Sequence, residues 1–267
     1  MEDIMLRLND HYQESLEHFS ENRIVALCLQ GSQNYGLQTE DSDVDSKLIV
    51  VPTFEDIAMN KKPVSTTHIR NNDEHIDFKD VRLYMQTFRK QNLNFLEILF
   101  TPYAIINPIY ADEWNRLVEN REAIANFNRY RGVQSMKGLA LEKYHAMEHP
   151  YPSKLDILAK YGYDPKQLHH LVRIEDYLER YIAGESYENC LKPYDPEYLI
   201  CVKRGYYNLI DARKVAATSK EHIEEMAEAF YEVNESVENP AVNELLDEVQ
   251  LSIMYKAVME ELNQRSY

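Results

Sequence analysis

The chain has 267 residues, 44% of them apolar and 28% charged, enough to bury a sizeable core and too apolar for a disordered tail. Its 29 basic and 45 acidic residues give a formal charge of −16, which repels a phosphodiester backbone and argues against extended duplex binding. Cys28, Cys190 and Cys201 are scattered without a CxxC pair, so neither a disulfide framework nor a thiolate zinc site is expected.

Residues 2–20 place Leu8, Tyr12, Leu16 and Phe19 at helical spacing, predicting an amphipathic helix. The same stretch carries acidic residues and no unbroken apolar run, so a signal peptide is not expected and the cytoplasm is the expected compartment. No run approaches the roughly 20 apolar residues of a membrane-spanning helix. IVALCL, residues 24–29, predicts a buried strand, and residues 31–42 a short helical turn with a loop. DVDSKLIVV, residues 43–51, predicts a second strand ended by Pro52. TTHIR, the turn NND and EHIDFK predict a hairpin with Ile76 and Phe78 on one face and His75 and Asp77 on the other. Asp80 is a candidate N-cap for the helix VRLYMQTFRKQ. Beyond Tyr110 the pattern is helical, broken at HPYPSK, LKPYDPEY and ENPAV. The expected organisation is an α/β module over about 1–110 and a helical module over about 111–267.

The chemistry concentrates in GSQNYGLQTEDSDVDS, residues 31–46. Asp43 and Asp45 are two positions apart and share a face in extended backbone. Two carboxylates held that close disfavour each other's ionisation unless a cation sits between them. With Asp77 on a strand placed to be a neighbour, the three form an oxygen donor set suited to hard divalent cations. Gly31, directly after a buried strand, lets a phosphate approach the backbone; Ser32 adds a hydroxyl, and amides of the following turn add positive potential. Each half has a bland reading, since DxD pairs occur at solvated strand ends and small residues after a strand are often only a turn. Together they are complementary halves of metal-assisted phosphate chemistry.

These residues resemble the polymerase-beta-like nucleotidyltransferase superfamily, whose pattern is GS, then DxD, then a carboxylate on a later strand. GSQNYGLQTEDSDVDSKLIVV is similar in particular to a bacterial and phage group of nucleotidyltransferases, some associated with RNA repair. The resemblance covers about residues 24–79. It implies an α+β fold, with a small mixed-sheet core and a C-terminal α-helical region. It also implies that Gly31 and Ser32 touch the β- and γ-phosphates, that Asp43 and Asp45 hold two Mg²⁺ ions, and that Asp77 ligates the catalytic one and helps activate the acceptor. Two features depart from the usual pattern: Ser46 follows the DxD where an apolar residue is common, and Lys47 stands two residues on, where it offsets the acid or touches phosphate.

In the helical half, KYGYDPKQLHHLVRIEDYLERYIAG predicts a helix capped by Asp164, with Pro165 in its first turn and Gly184 as its stop. Lys166, His170, Arg173 and Tyr177 form a stripe in steps of four, three and four. Such a stripe is commonly a solvated face, but an acidic protein that handles a triphosphate needs cations from somewhere. Similar GYDxK…HxxR segments occur in the family resembled. Lys166 and Arg173 are therefore assigned to phosphate or acceptor contact, and His170 to a polar role. Lys137 and Lys154 read as ordinary surface. Tyr35 is a weak candidate for packing near a base. His68 and His75 lack a third ligand for zinc, and His75 points with Asp77, where it could orient that carboxylate.

The expected activity is transfer of a nucleoside monophosphate from an NTP, with ATP the expected nucleotide, to an acceptor hydroxyl. The acceptor stays open between an RNA terminus, a protein side chain and a small molecule. A nucleotide-binding regulatory protein, or one member of a toxin–antitoxin pair, is the reading of another class. A homo-oligomer is compatible with the apolar helical stripes, and no membrane partner is expected.

Overall fold

The structure, a computed structural model, describes residues 2–40 and 42–265. Its architecture is α+β: a small mixed sheet with a C-terminal α-helical region. The first elements are α1 (Glu2–Ser15), β1 (Ile24–Gln30), β2 (Asp45–Val50), α2 (Phe54–Ala58), β3 (Ser65–Ile69) and β4 (His75–Asp80). They are followed by α3 (Val81–Arg89), α4 (Leu93–Leu96), β5 (Ala104–Ile106), α5 (Ala111–Glu119) and α6 (Arg121–Ala125). Next come α7 (Arg129–Ala146), α8 (Leu155–Tyr161), α9 (Pro165–Ala183), α10 (Tyr187–Leu191), α11 (Pro196–Lys203) and α12 (Leu209–Val233), and last α13 (Pro240–Arg265).

The strands form one sheet in the order β3-β4-β2-β1-β5, with β2 and β4 parallel and the other pairs antiparallel. Leu27 and Leu29 of β1, Leu48 and Val50 of β2, and Ile76 and Phe78 of β4 pack with Leu8 and Tyr12 of α1 on one face. A register shift between Ile24 and Ala26 puts Ile24 into the same core despite its parity. On β4 the burial alternates as the sequence predicts, with Ile76 and Phe78 inward. The second strand begins at Asp45, two residues later than predicted, because its partner β1 ends at Gln30 and no further ladder forms. The three-residue β5 was not foreseen; so short an edge strand carries no pattern of its own.

Spatial grouping departs from chain order. One unit comprises Met1–Asn34, Asp41–Phe127 and Glu238–Tyr267; the other comprises Tyr35–Glu40 and Asn128–Val237. In the first unit α13 packs on α3 and α5. It buries Val242, Leu246, Val249, Ile253 and Ala257 and is tied by Arg89 to Asn243 and Asp247 and by Lys256 to Glu113. In the second unit α9 is the central helix, packed by α7, α10, α11 and α12. The Asp164 side chain accepts from the Lys166 amide, Pro165 opens the helix, and Gly184 ends it in a left-handed conformation. Among the described residues no helix is long and apolar enough to cross a membrane.

Candidate active site

The β1–β2 ladder ends at the pair Gln30–Asp45, where Gly31 turns the chain away with φ +96°. A β-carbon there would meet nothing nearer than Gln33 Oε1 at 4.0 Å, so it is the positive φ, not crowding, that favours glycine. The Asn34 side-chain amide donates to the Leu29 carbonyl (3.1 Å), and its oxygen accepts from Thr101 Oγ1 (2.7 Å). The Gln33 side-chain amide donates to the Asp43 carbonyl at 2.6 Å, tying the turn to the DxD segment. Gln33 and Asn34 were not singled out from sequence, because polar residues after a glycine look like any loop.

Asp43 is exposed just ahead of β2, and Asp45 is half-buried at its first position. The His75 amide donates to Asp45 Oδ1 at 2.9 Å, and His75 Nδ1 lies 3.3 Å from the same oxygen. His75 thus orients Asp45 rather than Asp77. Asp77 stands directly across the parallel pair from Lys47. Its Oδ2 accepts from Lys47 Nζ at 3.2 Å and its Oδ1 from Thr67 Oγ1 at 2.6 Å. The Lys47 side chain is 4% exposed. Burial lowers its pKa, with Asp77 and then Asp45 opposing the shift. Its ammonium lies 4.5 Å from the Phe95 ring centroid, and Lys79 Nζ lies 3.8 Å from the same centroid. Lys47 therefore offsets acid rather than reaching outward.

Asp43, Asp45 and Asp77 have the donor chemistry of a hard divalent cation, and two of them follow the glycine–serine turn on neighbouring backbone. As the side chains stand, however, no three His, Cys, Asp or Glu groups among the described residues are close enough to hold an ion. Both Asp77 oxygens already have partners. The residues fit a metal in kind, with Asp43 and Asp45 as the available pair and Asp77 engaged by Lys47.

In the helical unit, Lys166, His170 and Arg173 lie in the first half of α9. Lys166 is exposed. His170 is held neutral, chiefly by burial and then by His169, Arg173, Lys166 and Lys143. The Arg173 guanidinium lies 3.7 Å from the ring centroid of Tyr35, and Lys203 Nζ donates to the Leu37 carbonyl at 3.3 Å. Residues 35–40, which continue the GSQN turn in sequence, are thus gripped by the helical unit, and Tyr35 is buried there. Lys137 pairs with Glu228 at 2.5 Å and Lys154 with the buried Asp164 at 3.4 Å, both lysines half-buried. His68 pairs with Glu14 at 2.6 Å.

No curated protein matches the chain. Among solved structures, the chain is similar to a nucleotidyltransferase-like protein from Exiguobacterium sibiricum 255-15. The two share 9% identity over 84% of this chain and 74% of that one, with a TM-score of 0.31, and no residue correspondence rests on that likeness. The family described as RlaP, RNA repair pathway DNA polymerase beta family, matches residues 5–174. That span takes in the whole sheet and ends one residue past Arg173. The chain belongs to this family of polymerase-beta-like nucleotidyltransferases.

Proposed function

We propose that the protein transfers a nucleoside monophosphate from an NTP, with ATP the expected donor, to a hydroxyl at an RNA end, with Mg²⁺ as the metal. One observation carries this reading: the DxD segment is bonded to the glycine–serine turn through Gln33 and Asp43. In this reading Asp43 and Asp45 would hold two divalent ions, and Asp77 would complete the donor set for one of them. Bound ions supply charge neutralisation and a lowered pKa for the acceptor hydroxyl. Gly31 leaves room for a phosphate, and the Ser32 hydroxyl donates to one of its oxygens. The acceptor oxygen forms a bond to the α-phosphorus while the α–β bridging bond breaks. Pyrophosphate leaves with the electron pair, and the hydroxyl proton passes to Asp77. Lys47 pairs with Asp77 at 3.2 Å and holds that carboxylate in place. Lys166 and Arg173 serve phosphate or acceptor contact, and neutral His170 serves as a polar neighbour.

The engagement of both Asp77 oxygens favours a second reading, a protein that binds nucleotide without turnover. Incubation with each α-labelled NTP and Mg²⁺, with and without total cellular RNA, separates the two. The proposal expects label on RNA, lost in Asp43→Ala and Asp45→Ala. Label on protein or on a small acceptor moves the acceptor assignment. Metal-dependent binding without transfer supports the second reading.

A further inference from the structure

The DxD segment lies where the sheet has stopped supporting it. Asp45 opens β2 and forms the terminal pair of its ladder with β1, and Gly31 carries the neighbouring chain away. The amide of Val44 and the carbonyl of Asp43 are therefore left without ladder partners, and a strand end with unpaired groups would not hold two carboxylates in a fixed direction. Two side chains take the place of the missing strand. Glu74 Oε1 accepts from the Val44 amide at 3.2 Å, and Gln33 donates to the Asp43 carbonyl at 2.6 Å.

Glu74 is suited to this by its surroundings. Its carboxylate is 1% exposed and pairs with Arg7, with Arg70 Nη1 at 2.6 Å and with His11 Nε2 at 2.9 Å. Arg70 and His68 are steadied in turn by Glu14. An ionised carboxylate only accepts, so the His11 Nε2 carries the proton and its Nδ1 accepts from the Ser46 hydroxyl, 2.8 Å away. Val44 and Ser46, the two inward residues of the segment, are thereby fixed: Val44 by its amide and its buried side chain, Ser46 by its hydroxyl. Alternation then sends Asp45 to the opposite side of the sheet, and Asp43, just ahead of the strand, is exposed. The serine that departs from the usual apolar residue after the DxD is explained by this bond.

We infer that Glu74, with Gln33 and the His11–Ser46 pair, is a positioning device for the carboxylates: it substitutes for a strand and sets the spacing of Asp43 and Asp45. This rests on the nucleotidyl-transfer reading for its consequence, but the clamp itself is testable without turnover. The variants are Glu74→Gln, Gln33→Ala and Ser46→Ala, with Asp45→Ala as the reference. Gln33 is peripheral to the core, so its variant keeps the test open if Glu74→Gln fails to fold. Amide exchange followed by NMR is expected to show Val44 exchanging about tenfold or more faster in Glu74→Gln, as on losing a hydrogen bond to a charged group, with β1 amides unchanged. Mn²⁺ titration read by electron paramagnetic resonance is expected to show weaker binding in Glu74→Gln and Gln33→Ala. Turnover per folded molecule is expected to show a lower kcat, recovered in part by raised metal, with KM for NTP nearly unchanged. Wild-type Val44 exchange and wild-type Mn²⁺ affinity in the folded variants would overturn the clamp. Full turnover in Asp45→Ala would instead overturn the nucleotidyl-transfer reading and leave the exchange result to decide the clamp.

Discussion

Lys47 and Asp77 face each other across parallel strands, their charges 3.2 Å apart, with the ammonium beside Phe95. The pair is unequal, since the lysine is almost fully covered and the aspartate side chain is 29% exposed. Removing Asp77 leaves a buried charge without its hydrogen-bonded counter-ion and with only the more distant Asp45, whereas removing Lys47 leaves a carboxylate that water reaches. We expect Asp77→Ala to cost about 3 kcal/mol and Lys47→Met far less, with the double variant more stable than Asp77→Ala alone. Urea midpoints of the four proteins measure this; equal losses in the two single variants would contradict it.

Acid should weaken the protein through two buried imidazoles. Burial pushes both His11 and His169 down to about 4, while each would titrate near 6.5 in the unfolded chain. Between those values the unfolded chain takes up protons that the folded one refuses. Stability is therefore full above pH 6.5 and falls as the pH drops toward 4, by up to about 3 kcal/mol for each histidine. Urea unfolding at pH 7.5 and pH 5 should show the loss, and His11→Asn should flatten part of the slope. A slope unchanged in that variant would remove His11 from the account.

Tyr35 presents its ring to Arg173, while its hydroxyl is buried without a hydrogen-bond partner. Tyr35→Phe keeps the ring and deletes the unsatisfied group, so it should be neutral or slightly stabilising. Tyr35→Ala should cost about 3 kcal/mol by emptying a buried aromatic site. Arg173→Lys should not substitute fully, because a lysine lacks the planar cation that stacks. Thermal unfolding of the three variants gives the comparison.

Thiol chemistry offers a simple check of the packing. Cys201 is exposed, whereas Cys28 and Cys190 are buried, and burial drives the Cys28 pKa far upward. A thiol reagent should modify one cysteine in the native protein and all three in denaturant. Rapid native labelling of Cys28 would mean that β1 is not covered on both faces.

The turn at Gly31 and the strand that begins at Asp45 were legible because their signals are local: a glycine after an apolar run, and alternation that becomes a continuous apolar stretch. The Asp80 and Asp164 caps were legible for the same reason, since both bond to amides two residues on. His11 and Glu74 were not. His11 sits between Leu8 and Tyr12 on the buried face of α1, and a polar residue in that stripe was the available clue. Its partners come from β2 and from the β3–β4 turn, which only the folded sheet brings together. Lys47 was ambiguous for a related reason. Its charge was visible in the sequence, but the register that sets it against Asp77 was not. The return of α13 to the sheet unit was equally hidden, because an apolar helical stripe does not name the surface it will cover.

That return has a consequence for biosynthesis. The ribosome makes α13 only after the second unit's residues 128–237, at about 5–20 residues per second, yet α3 and α5 wait for it to cover their apolar sides. Apart from its short 35–40 segment, the second unit is emitted as one stretch. The sheet-bearing unit is the one left open until α13 emerges, and a nascent chain stalled before Pro240 would leave the sides of α3 and α5 that α13 covers exposed.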